Sequence, residues 1–238
     1  MRFFPHERSD SDMNYFLNLD PYSAHMKPVK LIGNNKTVLE VGCSSGYISE
    51  LLKANGCHVY GIEIDPQAAQ IAHPHCEQII VGDIETLSDL PFAPATFDVI
   101  LLLDVLEHLH DPLEQLRRLK TLLKSDGIFI VNLPNVANIA LRWSLFCGRW
   151  NYTDRGLMDK THLHFYTKKT AQDLLNHAGL SIVYNDINQG VDQIGLLRWT
   201  LLRVLRKTPW YHKSMYWLTR LWPEGFALQF MFVAKALR

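Results

Sequence analysis

Three acidic residues lie in or at the end of apolar, strand-like runs, where their carboxylates could bind a ligand. Glu40 lies within "TVLEVG", Glu63 within "HVYGIEI", and Asp83 closes "EQIIVGD". A carboxylate at the end of a second strand can accept hydrogen bonds from both hydroxyls of a ribose. Asp83 could accept one from an exocyclic amine such as that of adenine. Glu40 disfavours an anion and suits a cationic group, such as an ammonium or a sulfonium.

A turn of small residues after the first run indicates which ligand these acids serve. Gly42, Ser44 and Gly46 lie in "VGCSSGYIS", ahead of a helix-like stretch. Small residues let backbone N–H groups approach a ligand closely. The spacing of Gly42 and Gly46 does not match the GxGxxG pattern of a dinucleotide pyrophosphate site. A ligand with a ribose, an amine and a positive charge, but no phosphate, describes S-adenosylmethionine (SAM).

A second group of residues could supply a base for transfer to a hydroxyl or amine acceptor. Asp159, His162 and His164 lie in the segment "YTDRGLMDKTHLHFYT". Histidine titrates near neutral pH, and two histidines two positions apart share one face of an extended segment. We predict His162, or else His164, as the base, with Asp159 orienting it. The alternative is that these side chains cap and pack a loop. A metal site on the three lacks a clear fourth ligand, so none is predicted.

Alternating apolar and amphipathic runs predict the frame that positions these residues. Strands alternating with helices imply right-handed crossovers and a parallel sheet, whose ligands bind beyond the carboxyl ends of the strands. The predicted strands are 37–42, 58–64, 77–83, 96–104, 127–134, 181–187 and 226–236, and the main predicted helices are 47–56, 65–72, 111–127 and 167–180. The segment 135–168 is predicted to be rich in loops.

The motifs "VLEVGCSSGYIS", "VYGIEID", "VGDIE" and "FDVILLLDVLEHLHDP" occur in the order of those of class I SAM-dependent methyltransferases, and the chain resembles that family. The resemblance implies an α/β fold, a Rossmann-like doubly wound seven-stranded sheet, mostly parallel with an antiparallel last strand. It implies SAM as cofactor and Ser44 at a position where the family most often has glycine. The cofactor-binding residues that it implies are Glu40, Gly42, Ser44, Gly46, Glu63, Ile64, Asp83, Ile84 and Leu103.

The segment 152–167 resembles a narrower subgroup, with the pattern D-x-T-H-L-x-F-Y-T, often associated with sugars or surface glycans. The function predicted is O-methylation of a small-molecule, sugar or lipid-linked glycan acceptor. One alternative is a catalytically silent SAM-binding or interaction protein. Another is a nicotinamide-dependent oxidoreductase, against which the glycine spacing and Glu40 count. Glu107 and His108, in "LEHLHD", resemble a common feature of the family, and we interpret them as hydrogen-bonding groups at the start of a helix. His108 and His110 are further candidates for the base.

Composition limits the partners and the location. The 238 residues carry no formal net charge, which argues against a nucleic-acid partner. The four cysteines show no metal-binding spacing, and the polar N-terminus does not look like a signal peptide, so a cytoplasmic location is predicted. We divide the chain into an N-terminal helical lead-in, 1–36, and a methyltransferase domain, 37–238, with a basic amphipathic insertion at about 190–225.

The insertion leaves three interpretations open. Between 196 and 222 it combines basic residues, tryptophans and a leucine-rich arc. Such a helix could lie on an anionic membrane as a peripheral contact, pack on its own domain, or face a second copy in a homodimer.

Overall fold

The protein is described by a computed structural model at residues 24–189 and 209–237. Seven strands form one sheet in the order β3-β2-β1-β4-β5-β7-β6. Neighbours from β3 to β5 pair in parallel, whereas β7 runs antiparallel to both β5 and β6. The strands are β1 (Thr37–Val41), β2 (His58–Glu63), β3 (Gln78–Val81), β4 (Phe97–Leu103), β5 (Leu123–Pro134), β6 (Leu180–Gln189) and β7 (Ala227–Ala236). The predicted doubly wound sheet with an antiparallel last strand is confirmed.

Helices cover both faces of this sheet. Their starts follow local chemistry: Asp65 caps α3 through its carboxylate with Pro66 in the first turn, and Thr167 caps α6 in a capping box with Thr170. Within the described ranges the helices are α1 (Met26–Ile32), α2 (Tyr47–Ala54), α3 (Pro66–Ala72), α4 (Pro112–Lys120), α5 (Ile139–Phe146), α6 (Lys168–His177), α7 (Pro209–Leu221) and α8 (Pro223–Phe226).

Consecutive residues of the central strands bury opposite sides of the sheet, as a doubly covered sheet requires. Val38 and Val99 pack in the core on one side, and their neighbours Leu39 and Ile100 pack in the core on the other. The ends of β1 to β5 are therefore held in fixed positions, and their carboxyl ends form one edge of the molecule.

The predicted end of one helix was wrong, and another helix was not predicted. The helix expected over 111–127 ends at Lys120, and Leu123 instead begins β5 by pairing with Phe97. Leu123 continues the apolar period of the helix in the sequence, but in the structure it pairs with β4 and is buried as part of a strand. The helix α5 lies in the segment that was predicted to be rich in loops.

Parts of the predicted appendages lie outside the described residues. Most of the lead-in and residues 190–208 of the insertion belong to this undescribed part. The helix α1 lies in the described end of the lead-in, and α7 lies in the described part of the insertion. None of the described helices is long and apolar enough to cross a membrane. The division into domains stays a prediction.

Candidate active site

The turn after β1 is built from residues with left-handed backbone torsions. Gly42 and Gly46 have φ of 70° and 78°, and Ser44 between them has φ of 49°. A Cβ on Gly46 would lie 2.8 Å from Cα of Ala72 in α3, so the close approach of two helices also requires glycine there. Ser44 therefore adopts the conformation for which glycine is usual, without being glycine. We call the loops that follow β1, β2 and β3 the β1–β3 rim.

Glu63 stands at the centre of the β1–β3 rim and its carboxylate is held on both sides. The residue is 6% exposed. Its Oε2 accepts a hydrogen bond from the Ser44 N–H at 2.7 Å, and its Oε1 accepts one from the Asp65 N–H at 2.9 Å. Each carboxylate oxygen has a second lone pair, so the group can accept further hydrogen bonds. The turn after β1 and the turn after β2 are thereby tied together.

Glu40 lies deeper in the same rim. Ser49 of α2 donates a hydrogen bond to Glu40 Oε2 at 2.6 Å, and both side chains are buried. Burial raises the pKa of Glu40 to about 8, although the Ser49 hydrogen bond acts in the opposite direction. The carboxyl group is therefore protonated at neutral pH, and a cation beside it would favour its ionised form.

The remaining predicted cofactor residues line the same edge. Asp83 accepts a hydrogen bond from the Glu85 N–H through Oδ1 at 2.9 Å. Ile64 is 58% exposed, which is unusual for an aliphatic side chain, while Ile84 is buried in the core. Leu103 ends β4 beside Asn132 of β5. The structure brings all nine predicted residues to the β1–β3 rim or to the adjoining end of β4.

A second set of polar groups follows β4 and β5; with the segment 152–167 we call it the β4–β5 rim. Glu107 lies in a 3₁₀ turn, Leu106–His108, directly after β4. Its carbonyl oxygen accepts hydrogen bonds from the N–H groups of Leu163 and His164, at 2.8 and 3.1 Å. Residues 55 or more positions apart in sequence are therefore brought side by side. This fixes His162 next to the end of β4.

Glu107, His108 and His162 form a compact cluster on this rim. Each offers one ligand atom, and these atoms lie within 4.8 Å of one another. The His108 and His162 rings are 4.8 Å apart between centroids, and His162 Nε2 is 4.0 Å from Glu107 Oε1. Burial raises the pKa of Glu107 well above its usual value, and the Asp104 carboxylate raises it further. Burial, followed by His108, lowers the pKa of His162.

Asp159 and His164 lie in the same segment, and the His162 N–H donates to the Asp159 carbonyl oxygen at 3.1 Å, but within the described residues neither side chain makes a hydrogen bond to the His162 ring. Asp159 Oδ1 accepts from the Thr161 N–H at 2.8 Å and from Thr161 Oγ1 at 2.7 Å. His164 Nε2 lies 3.3 Å from the carbonyl oxygen of His110. Asp159 therefore shapes the turn before His162, and His164 lies at the edge of the cluster.

Polar side chains next to the β4–β5 rim form a hydrogen-bond network. Asp104 Oδ1 accepts hydrogen bonds from Asn132 Nδ2 at 3.0 Å and from Gln229 Nε2 at 2.8 Å. Asn188 Nδ2 in turn donates to Asn132 Oδ1 at 3.0 Å. The ends of β4, β5, β6 and β7 thus share one network beneath the cluster.

The sequence family described as "Methyltransferase domain" matches residues 16–185, which is more than half of the chain. The chain belongs to this family. The fold, the enzyme class and SAM as cofactor are therefore confirmed at the level of the family, and the narrower subgroup based on 152–167 stays a prediction.

Relatives of this methyltransferase domain include enzymes named for quinone synthesis. A ubiquinone biosynthesis O-methyltransferase of Cereibacter sphaeroides is 30% identical over 151 residues, which cover 61% of this chain and 60% of the relative. One of the same name from Paraburkholderia phytofirmans is 36% identical over 96 residues, 39% of this chain and 41% of the relative. The chain thus matches about three-fifths or less of the length of these curated relatives.

Solved methyltransferases share the fold. A chain of the complex between the Haloferax volcanii Trm112 methyltransferase activator and a methyltransferase matches with a TM-score of 0.64 at 18% identity, over 96% of this chain and 95% of that one. A SAM-dependent methyltransferase from Archaeoglobus fulgidus matches with a TM-score of 0.61 at 20% identity, over 88% and 90%. At these identities the likeness shows the fold alone.

Sequence reasoning underrated one pair of residues in this methyltransferase domain. Glu107 and His108 were interpreted as groups at a helix start, but Glu107 is 1% exposed and faces His162. Their succession at the end of β4 was visible in the sequence. What the sequence did not show was that a segment more than 50 residues later lies against them.

Proposed function

We propose that the chain transfers the methyl group of SAM to a hydroxyl acceptor. The observation that carries this proposal is the pair of carboxylates at Glu40 and Glu63, set around a tight left-handed turn on the β1–β3 rim. A neutralised, buried acid and a ribose-type acid suit a cationic nucleoside better than a phosphate. Oxygen as the acceptor atom is supported by the relatives named O-methyltransferases.

Each predicted cofactor residue has a role in this proposal. Glu63 binds the ribose hydroxyls through its remaining lone pairs, and Asp83 accepts from the adenine amine. Ile64, exposed beside them, packs on the adenine, and burying this aliphatic surface stabilises the complex. Leu103 offers its carbonyl to the methionine ammonium. Gly42, Ser44, Gly46 and Ile84 shape the walls of the site.

The reaction is an in-line displacement at the methyl carbon. The acceptor oxygen attacks this carbon, the carbon–sulfur bond breaks, and its electron pair stays on sulfur, which leaves neutral S-adenosylhomocysteine. The hydroxyl proton leaves the oxygen during or before the attack. Since the sulfonium is already activated, positioning of the oxygen supplies much of the rate.

His162 is the residue that we propose to activate the acceptor, with Asp159 and His164 in supporting positions. Burial keeps the His162 imidazole neutral, so one nitrogen has a lone pair. A neutral imidazole can take the proton itself, or it can help to hold a cation that makes the hydroxyl more acidic. Asp159 acts as a positioning residue, because it orders Thr161 beside His108.

The test is methyl transfer with labelled SAM and fractionated cell extract. The wild-type chain should label an acceptor, and His162→Ala should lower this labelling at least about 100-fold while SAM still binds. His177→Ala, at the end of α6, is a matched control that should leave labelling unchanged. If the wild-type chain binds SAM but labels nothing in any fraction, the silent SAM-binding alternative is correct.

We also propose that the acceptor reaches the site from an anionic membrane surface. Large apolar side chains are exposed on two neighbouring helices: Trp143, at 65%, and Phe146, at 81%, on α5, and Trp217 on α7. Arg142 lies over the Trp222 ring at 5.5 Å, which joins the two groups. Residues 137–153 and 209–223 contain Arg and Lys but no Asp or Glu. Exposed aromatic side chains together with basic residues, and without acidic residues, favour binding to an anionic lipid surface.

Vesicle flotation tests the membrane proposal. The chain should float with vesicles that contain an anionic lipid and remain at the bottom with neutral ones, and Trp143→Ser with Phe146→Ser should abolish flotation. Val183→Ser, an exposed apolar residue of β6, serves as a control. Absence of flotation together with a dimer in sedimentation, lost in the double variant, would instead assign this surface to a homodimer.

A further inference from the structure

The carboxylate of Glu107 is buried without a hydrogen-bond partner for one of its oxygens. Glu107 is 1% exposed, and its Oε2 has no partner among the described residues. His162 Nε2 is 4.0 Å from Oε1, which is too far for a hydrogen bond. A buried polar atom without a partner costs free energy in either protonation state. The arrangement therefore lacks a positively charged or hydrogen-bonding group at this point.

His162 contributes a second buried atom of the same kind. Its side chain is 7% exposed, and its Nδ1 is also without a hydrogen-bond partner in the described part of the chain. Two buried polar atoms, one carboxyl oxygen and one imidazole nitrogen, thus belong to neighbouring side chains. Both atom types are ligands of divalent first-row metals.

The hydrogen bonds around His108 determine which of its nitrogens carries the proton. Thr161 Oγ1 donates to Asp159 Oδ1, so this hydroxyl can only accept from His108 Nδ1, 3.1 Å away. The Thr161 carbonyl, 3.2 Å from Nδ1, is also an acceptor. The proton therefore lies on Nδ1 and the lone pair on Nε2. A metal-binding histidine is commonly fixed in this way, by donating its other N–H to a carbonyl.

We propose that Glu107, His108 and His162 bind a divalent first-row cation, such as Zn²⁺ or Mn²⁺. The three ligand atoms lie within 4.8 Å of one another. Ligands at about 2.0–2.2 Å from a tetrahedrally bound metal are about 3.3–3.6 Å apart, so the side chains need to close on the metal by about an ångström. Two imidazoles and one carboxylate favour such a metal over Mg²⁺, which prefers oxygen ligands.

This cation deepens the proposed function and rests on it for its role. Three protein ligands leave coordination positions open, and an acceptor hydroxyl bound there becomes more acidic. Its proton then passes to solvent, and the resulting oxygen attacks the methyl group of SAM. His162 acts in this step as a ligand, and Asp159, through Thr161 and His108, acts as a positioning residue. The Asp104 carboxylate, close enough to raise the pKa of Glu107, adds negative charge that attracts the cation.

The site can be tested by metal binding alone, without an acceptor. Untagged protein is stripped with a chelator and titrated with Co²⁺, followed by visible absorption, and with Zn²⁺ in competition. One equivalent of Co²⁺ should bind with the spectrum of mixed nitrogen and oxygen ligands. Glu107→Gln and His162→Ala should each weaken binding by more than about tenfold. His110→Ala, an exposed histidine nearby that pairs with Glu85, should bind as the wild type does.

The outcomes separate this inference from the proposed function. Circular dichroism and SAM binding first establish that each variant is folded. Equal Co²⁺ affinity in wild type and Glu107→Gln overturns the metal site. Methyl transfer at full rate by chelator-treated protein overturns the role of the cation in the reaction. If Co²⁺ binds as expected but no acceptor is methylated, the metal site stands and the proposed function fails.

Discussion

The carboxylates of the β1–β3 rim and of the β4–β5 rim differ in their hydrogen-bond partners. On the first, Glu40 has Ser49, Glu63 has two backbone N–H groups, and Asp83 has another. On the second, Glu107 is equally buried but one oxygen has no partner in the part of the chain that the structure describes. The carboxylates of the β1–β3 rim thus have hydrogen-bond partners within the protein. On the β4–β5 rim, the Glu107 carboxylate gains a partner for its second oxygen only when another group binds.

The two rims also differ in how the sequence builds them. Glu40 and Ser49 are nine positions apart, and Ser44 and Glu63 are 19 apart. Glu107 and His162 are 55 positions apart. A ligand site made from local motifs can be recognised in a sequence, and one made by a long-range contact cannot.

Replacement of Glu107 by methionine should make the protein more stable and less active. The change removes a buried carboxylate without a full set of partners and keeps a similar shape, so the free energy of unfolding of metal-free protein should rise by about 1–3 kcal/mol. Methyl transfer should fall by at least about 100-fold. Urea unfolding and labelled-SAM turnover measure the two. Glu77→Met, an exposed acid before β3, should change neither; a loss of stability in Glu107→Met contradicts the account.

Gly46→Ala should destabilise the β1–β3 rim, because it changes the backbone of the turn after β1. Alanine at φ of 78° costs about 1–2 kcal/mol, and contact with Ala72 adds about 1–3 kcal/mol. Gly148→Ala is the control, since it has φ of 70° but no atom within 4 Å of the added Cβ. Denaturant unfolding of both variants isolates the cost of the close approach. Equal losses in the two would show that α2 and α3 do not need to meet at Gly46.

Asp159→Asn should lower metal affinity and turnover on the β4–β5 rim, although Asp159 does not contact the acceptor. The variant loses the strong hydrogen bonds that order Thr161, and with them the orientation of His108, so Co²⁺ affinity and kcat should fall by about tenfold. The KM for SAM should not change, because the β1–β3 rim is intact. Asp154→Asn, an exposed acid of the same segment, is the control and should behave as wild type. A change in the KM for SAM alone would place Asp159 on the wrong rim.

Glu40 should release its proton when SAM binds. Its raised pKa of about 8 means that the folded protein holds a proton that the unfolded chain loses near its ordinary pKa, so this group lowers stability as pH rises from about 4.5 to 8. The cationic cofactor should favour the carboxylate and release up to about one proton at pH 6–7. Calorimetry in buffers of different ionisation enthalpy counts this proton, and Glu40→Gln should show none.

The sequence predicted the sheet and the first rim because their signals are local. Strand endings at Glu63 and Asp83, the small-residue turn and the Asp65 cap each occupy a few consecutive residues. It misplaced the end of α4, since Leu123 fits a helical period as well as a strand. It proposed His162 from residue type and spacing, but could not show that the Asp159 carboxylate accepts hydrogen bonds from Thr161. The importance of Glu107 depends on burial and on a distant segment, neither of which a single sequence displays.

One measurement tests most directly whether the two rims have separate tasks. SAM is titrated by calorimetry into wild type, Glu107→Met and Gly46→Ala, and turnover is followed in parallel. We expect Glu107→Met to bind SAM as wild type does but not to transfer its methyl group, whereas Gly46→Ala should bind SAM more weakly. A wild-type chain that fails to bind SAM, or a Glu107→Met variant that turns over at the wild-type rate, would contradict it.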